Sequence, residues 1–394
     1  MFHNLKAIKS VRQPFVPDQN ILNFLETFRY MVNHCIRIGL QNDCSTLKKL
    51  STLSYHELGQ YEILSYYKLG AISQAAGILS NRKQSIRRGI HTKKPYMKKP
   101  ILISCYGFKI EDGVFRIPLG DRKYFEIPLN TYTRQILSDP TLKVHSFCLT
   151  AFNINMAISK EIGLIECTKT VGIDRNLKNI TVGDCTRVVQ YDLSKTVKIA
   201  ENTKSIYSSL KRNDHRIMKK LYSKYGTRRK NRINQILHKA SKTIVKEAAK
   251  DQTAIIFEDI RHIRKLYQKG NGQGKKYRGR LNGWSFAEIK RQIEYKANWE
   301  GIPVIQLSKK ETRGTSTLCP ACGKRLQEQR ASRELWCEFC QRWLDRDVVA
   351  VMNQSLRGLS RFDSSKGVAN EAMVQELGTP IILQVDATKL CQRE

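Results

Sequence analysis

Four cysteines, Cys319, Cys322, Cys337 and Cys340, stand in the order C-x2-C-x14-C-x2-C and constrain this chain more than any other feature. Two such knuckles present four thiolates as a tetrahedron, the geometry in which zinc binds sulfur, and they pinch off the chain between them as a small ribbon. Pro320 and Gly323 suit the tight turn of the first knuckle. Two redox CxxC motifs are the competing reading, but neither pair opens a helix after a strand as a thioredoxin-like site does. Four thiolates leave no coordination position open, so the zinc is expected to be structural and the chemistry to lie elsewhere. The other seven cysteines, Cys391 among them, follow no spacing and read as reduced thiols.

Charge narrows the partner. The chain sets 69 Lys and Arg against 35 Asp and Glu, a formal charge of +34, and so large an excess repels itself unless a polyanion compensates it. At 394 residues and 41% hydrophobic content there is material for two or three domains with their own cores. No apolar run approaches the roughly 18 residues of a membrane span, and the first residues lack the apolar core of a signal peptide. The expectation is an intracellular protein without membrane partners.

The hydrophobic period divides the chain. Residues 1–17 read as a first strand. Residues 18–100 read as helices, with Asp18 as N-cap and Ile21, Leu25, Phe28, Val32, Cys35 and Leu40 as a stripe, ending in a basic connector. Residues 101–165 switch to a period of two with Asp112-Gly113 and Gly120-Asp121 turns, so a small β-barrel with a helical insert is expected. Residues 166–316 alternate strands and helices, from "TVGID" through "AIIFE" to "IPVIQLS", the order of an α/β domain with a mixed sheet. The ribbon takes residues 317–342, a last segment of that domain 343–356, and a tail without assigned role 357–394.

Three acids fall where a sheet edge would present them. Asp174 ends "TVGID", Glu258 ends "AIIFE", and Asp347 opens the apolar helix after the ribbon. Any one of them alone reads equally well as a solvated cap, but three carboxylates converging on one edge repel each other unless divalent cations lie between them. Oxygen ligands without nearby histidine point to Mg²⁺ or Mn²⁺, and on so basic a chain to phosphodiester chemistry. On a helix Asp345 and Asp347 stand about 200° apart, so one faces the site; Asp345 suits the N-cap and Asp347 the site. Asp184, Asp192 and Asp259 read as caps, turns or supporting groups.

The runs "VGIDRN", "IIFEDI", "GWSFAEIKRQIEYKANWEGIPVIQLS", "TSTLCPACGKRL", "WCEFC" and "LDRD" resemble the successive motifs of the TnpB family, RNA-guided nucleases of prokaryotic insertion sequences. The resemblance implies a multidomain α/β plus β protein: an RNase H-like RuvC nuclease domain with an inserted zinc ribbon, preceded by a wedge β-barrel carrying a helical recognition insert. It further implies Asp174, Glu258 and Asp347 as the catalytic acids holding Mg²⁺. A guide RNA from the transposon end and a double-stranded DNA target beside a short adjacent motif are the implied partners, in a prokaryotic cytoplasm at the nucleoid. Members usually carry Asn two places after the third acid; this chain carries Val349. A miniature type V CRISPR effector, a nuclease-dead RNA-guided repressor and a strand-joining transposase are the alternatives, and retention of all three acids weighs against the repressor.

Basic segments would carry the nucleic acid through phosphate contacts. Candidates are Arg87, Arg88, Lys93 and Lys94 in the connector, Arg228, Arg229 and Lys230 on a long helix, and Lys275 and Lys276 in the Gly-rich run "KGNGQGKKYRGR", which reads as a lid over the cleft.

Overall fold

A computed structural model of the chain describes residues 5–120, 122–210, 215–261, 263, 265, 268, 270, 272–328, 333–363 and 379–390. It divides into two compact units, Lys6–Glu161 and Ile162–Glu394 with Met1–Leu5.

In the first unit β1 (Leu5–Pro14) leads into α1 (Gln19–Gln41), α2 (Leu47–Ser54) and α3 (Ser65–Arg87). The Asp18 carboxylate accepts from the Ile21 N–H at 2.8 Å and caps α1. Ile21, Leu25, Phe28, Val32 and Cys35 of the stripe are buried, with α3 packed alongside. After them come β2 (Leu102–Ser104), β3 (Lys109–Glu111), β4 (Val114–Gly120), β5 (Lys123–Pro128), α4 (Thr131–Leu137), β6 (Lys143–Leu149) and β7 (Asn153–Ile162).

Among the described residues the strands of this unit pair in two groups. They form two sheets, β1-β7-β6-β2 and β3-β4-β5. Pro118 in β4 and Pro128 in β5 have no N–H to donate to a ladder. Phe108, Phe115 and Phe147 join the sheets with ring centroids 5.2–5.6 Å apart. The buried Gln13 amide donates to the Pro128 carbonyl at 2.7 Å and accepts from the Asn130 N–H at 3.1 Å.

The second unit is built on β8 (Lys169–Arg175), β9 (Asn179–Gly183) and β10 (Arg187–Asp192), an antiparallel meander. Helices α5 (Ser194–Ser209) and α6 (His215–Lys250) precede β11 (Thr253–Phe257); α7 (Lys275–Asn282) and α8 (Phe286–Glu300) precede β12 (Val304–Gln306) and α9 (Lys309–Thr312). The ribbon strands β13 (Gln327–Glu328), β14 (Glu334–Cys337) and β15 (Arg342–Asp345) follow, then α10 (Arg346–Asp363) and β16 (Ile381–Asp386). The main sheet runs β12-β11-β8-β9-β10-β16, with β11 parallel to both β8 and β12.

Burial explains the order. Every residue of β11 is buried, as a strand with neighbours on both edges and helices on both faces demands. Ile173, Ile255 and Phe257 join the α6 and α8 core on one face, while Val188 meets Val348, Val351 and Met352 of α10 on the other. Gly172 lets α10 lie directly on β8, because a Cβ there would stand 2.3 Å from the Val351 carbonyl oxygen. Buried Thr170 and Ser355 exchange hydrogen bonds at 2.7–2.9 Å across the same contact.

The stretch expected as a tail past residue 356 is in part regular structure. α10 continues to Asp363, and β16 adds in parallel to β10, Arg187 opposite Ile381 through Asp192 opposite Asp386. "IILQVD" is short and three of its apolar residues, Ile381, Ile382 and Leu383, stay exposed, so only its β-branched content signals a strand. No helix among the described residues is long and apolar enough to cross a membrane.

Candidate active site and zinc centre

The two parallel strands at the centre of the sheet set the site. Phe257 of β11 pairs with Ile173 of β8, so the residues that follow, Glu258 and Asp174, stand side by side at the carboxyl ends of neighbouring strands. Asp347 enters from the first turn of α10. The Asp345 carboxylate accepts from the Asp347 N–H at 2.8 Å and the Val348 N–H at 3.1 Å, so Asp345 caps the helix and Asp347, 3% exposed, faces inward. All three acids line one cleft of about 1,100 Å³. Among the described residues the four cysteines are the only group of three or more such side chains whose ligand atoms all lie within 4.8 Å of one another; the three carboxylates share their cleft more loosely.

The cleft holds its acids in tension. Burial, with the Asp347 charge second, pushes Asp174 up to about 6. Burial, with Asp174 second, pushes Glu258 up to about 8. The turn between β8 and β9 answers with amides: Asn176 donates to Asp174 Oδ2 at 2.7 Å and Asn179 to Asp347 Oδ2 at 3.3 Å, and the Asn176 N–H bonds the Asn179 carbonyl at 3.0 Å. Buried Arg175 lies beneath, donating to the Glu258 and Phe286 carbonyls at 3.1 and 3.3 Å and sitting 5.2 Å from the Phe257 ring centroid. Arg333, from the edge of ribbon strand β14, reaches into the cleft and pairs with the Asp347 carboxylate. Asn176, Asn179, Arg175 and Arg333 escaped the sequence reading. "DRN" carries two of them in the strand motif, whereas nothing local marks Arg333 as a site residue.

The remaining aspartates have local duties. Asp184 accepts from the Thr186 hydroxyl and from the N–H groups of Thr186 and Arg187 in the β9–β10 turn. Asp259 is forked by Arg261. Asp192 accepts from the Ser194 N–H and also lines the cleft, with Asp386 of β16.

In the ribbon the sulfurs converge: Cys319 to Cys340 is 3.8 Å and Cys322 to Cys337 is 3.5 Å. Zn–S bonds of about 2.3 Å at tetrahedral angles space sulfurs about 3.8 Å apart, so the cluster fits zinc. Gly323, at φ 70°, lets the first knuckle turn, with its N–H on the Cys319 carbonyl at 2.9 Å. Burial opposes ionisation of Cys319, yet N–H groups of Cys322 and Ala321 bring it down to about 7; burial pushes Cys340 up to about 12. Two features bind the ribbon to α10. The Asn353 amide donates to the Thr315 and Leu318 carbonyls, both at 2.8 Å. Val349, fully buried, packs with Leu326, Leu335 and Leu344, so the residue that departs from the family pattern serves as the ribbon's apolar foot.

The basic candidates separate into groups. Arg87 and Arg88 end α3, and Lys93 and Lys94 follow, all exposed in the first unit. Arg228 and Lys230 are exposed on α6, while half-buried Arg229 turns into a second cleft that Lys276 also lines. Lys275 is exposed at the start of α7. Of the run expected as a lid, residues 269 and 271 lie outside the described residues and 275–280 are helical; Tyr277 lines the carboxylate cleft.

Residues 286–354, from α8 through the ribbon to α10, match the family model described as the TNB domain of Cas12f1-like proteins. TnpB-like protein MJ1635 of Methanocaldococcus jannaschii is 24% identical over 326 residues, 79% of this chain and 73% of the relative. The solved mini-RNA-guided endonuclease CRISPR-Cas_phi3 aligns at 9% identity over 96% of this chain and 94% of its own, with a TM-score of 0.46. TnpB-like protein MJ0751 of the same archaeon is 31% identical over 260 residues, 62% of this chain and 91% of the relative. Sharing nearly the whole length of MJ0751 at that identity, the chain belongs to the TnpB-like family.

Proposed function

We propose that the chain is an RNA-guided, divalent-metal-dependent DNA endonuclease with a RuvC-like, RNase H-type catalytic domain. The observation that carries the reading is the meeting of Asp174, Glu258 and Asp347 in one cleft where burial and mutual repulsion hold two of them well above ordinary carboxylate values. The sheet order supports the fold assignment: an antiparallel meander, then two strands parallel to the first, with acids at the ends of the first and fourth strands and on the last helix. Guide RNA and target DNA follow from the family resemblance and from the charge of +34.

The donor set fits Mg²⁺ or Mn²⁺, since the cleft offers carboxylate oxygens and, among the described residues, no lining His or Cys. Bound there, divalent cations supply activation of water and charge stabilisation at the leaving oxygen of an in-line displacement. Asp174, Glu258 and Asp347 would hold them. Asn176 ties down one oxygen of Asp174, while Asn179 and Arg333 hold the two oxygens of Asp347, so Arg333 would have to yield to a metal there. Arg175 fixes the backbone at Glu258, and its charge favours ionisation of both Asp174 and Glu258. Leu281 and Trp284 form an apolar lip that thins the water around the reacting phosphate.

The test is to purify the protein with its bound RNA, sequence that RNA, and challenge the complex with a plasmid library carrying the matching target. Mg²⁺-dependent cutting beside a shared short motif, lost in Asp174→Ala with RNA still bound, is the expected result. A complex that retains RNA and leaves every matched plasmid intact sinks the nuclease assignment.

A further inference from the structure

Helices α6 and α8 lie side by side in the second unit, and the polar groups between them centre on an amine. Lys296 of α8 is half-buried, and its Nζ donates to the His238 carbonyl at 2.8 Å and to Ser241 Oγ at 2.6 Å, both on α6. Ser241, fully buried, directs its own proton to the Leu237 carbonyl at 2.7 Å and faces the Gln292 amide oxygen at 3.3 Å. Glu288 on α8 is already committed, accepting from Arg291 at 2.7 Å and from Gln292 at 2.8 Å. Lys296 has no ion-pair partner among the described residues.

Two acceptors match the two N–H groups of a neutral amine and leave the third proton of an ammonium without one. The titratable and charged groups around it are the His238 ring and exposed Lys242 on α6, and Glu288, Arg291 and Tyr295 on α8. The Tyr295 ring centroid, 5.9 Å from Nζ, stands at the outer limit of a cation–π contact and does little to hold the charge. Burial, with the Lys242 charge second, brings Lys296 down from 10.5 to about 8. A lysine taken partly out of water and set beside a like charge carries a lone pair near neutral pH and attacks carbonyl carbon.

We propose that Lys296 is an acylation site, modified directly by small activated acyl donors of the acyl phosphate class. Nζ attacks the carbonyl carbon of the donor, the C–N bond forms as the bond from that carbon to the phosphate oxygen breaks, phosphate leaves with the electron pair, and the surplus proton of the nitrogen passes to water. A half-buried amine admits a donor of this size more readily than the active site of a modifying enzyme. The anionic donor is also drawn by Lys242, whose charge already acts on the site. The amide product has one N–H where the amine had two, so acylation undoes one of the two ties from Lys296 to α6. The site is independent of the nuclease reading.

The experiment incubates the purified full chain with acetyl phosphate from pH 6.5 to 9.5, with Nα-acetyl-lysine amide as an internal reference, and follows each acetylated lysine by peptide mass spectrometry. At pH 7 Lys296 should react at least ten-fold faster than the reference amine, and its rate should level off above about pH 8 while that of the reference, which titrates near 10.4, still climbs. The exposed lysines Lys230 and Lys275 report general surface acetylation in the same digest. Lys242→Gln should move the levelling of the Lys296 rate to higher pH and slow its acetylation at pH 7, with the melting temperature unchanged. A Lys296 that stays unmodified while the reference reacts overturns the proposal, as does one that reacts no faster than Lys230 and Lys275 at pH 7. So does a rate still climbing at pH 9.5, or a pH profile that Lys242→Gln leaves in place in a protein that melts as the parent does.

Discussion

Replacing the buried carboxylate of Asp174, a proposed catalytic acid, should make this protein more stable. Asp174 has an ordinary value near 3.8 and is pushed up to about 6 in the fold, first by burial and then by the Asp347 charge. A raised carboxyl favours the folded state while it holds its proton, so that contribution is complete below pH 3.8 and is lost as pH rises through about 6. Two units at about 1.4 kcal/mol each set the loss at up to about 3 kcal/mol by pH 8. Asp174→Asn removes the charge and keeps an oxygen to accept the Asn176 amide. In a unit of this size, with about 2–4 °C per kcal/mol, the variant should melt up to about 10 °C higher at pH 8 in buffer without added Mg²⁺. Its advantage should shrink toward pH 4. Added Mg²⁺ should raise the melting temperature of the unsubstituted protein and move the variant less. Calorimetry over pH 4 to 8 decides it: a variant melting at or below the parent at pH 8 would refute the claim that the cleft stores carboxylate repulsion.

Further outcomes follow from neighbouring contacts. Arg333→Gln frees the Asp347 carboxylate from an ion pair worth about 1 kcal/mol, so the Mg²⁺ midpoint in a melting titration should fall several-fold; an unchanged or higher midpoint counts against competition between Arg333 and metal. Val349→Asn, which restores the usual family residue, buries an amide in the ribbon's apolar foot and should cost about 1–3 kcal/mol along with zinc retention; a stable variant with full zinc contradicts that packing. Asp345→Ala should lose about 1 kcal/mol of stability and keep most cutting, whereas Asp347→Ala should lose cutting with DNA binding intact; the reverse pattern exchanges their roles. Cys337→Ser should release the metal from a protein that otherwise carries about one zinc per chain, as read by atomic absorption.

What the sequence disclosed depended on distance along the chain. The four-cysteine cluster was legible because its knuckles are local, with Cys319 and Cys322 in one turn and Cys337 and Cys340 in the other. Asp345 and Asp347 were separable because helix geometry alone puts them on different sides. The acids at the ends of "TVGID" and "AIIFE" were visible as candidates, but that they meet depends on the pairing of Ile173 with Phe257, 84 residues apart by subtraction of their numbers. Arg333 and β16 were hidden for the same reason in stronger form. An arginine in a polar ribbon and six residues of exposed strand acquire meaning only once the ribbon folds over the cleft and the sheet edge exists to receive them. The pairing of the first unit's strands into β1-β7-β6-β2 and β3-β4-β5 was likewise beyond alternation alone, which marks strands and not their partners.

The bond between Thr170 and Ser355 spans 185 residues. At roughly 5–20 residues per second, the ribosome takes about 10–40 s to make the second partner after the first. Throughout that interval the face of β8 that receives α10 has nothing to cover it, and the third carboxylate does not yet exist. On the proposed nuclease reading, the nascent chain can therefore neither hold metals in the cleft nor cut. Its central strands must wait, exposed and apolar, for the last helix, so synthesis itself delays completion of the carboxylate cleft.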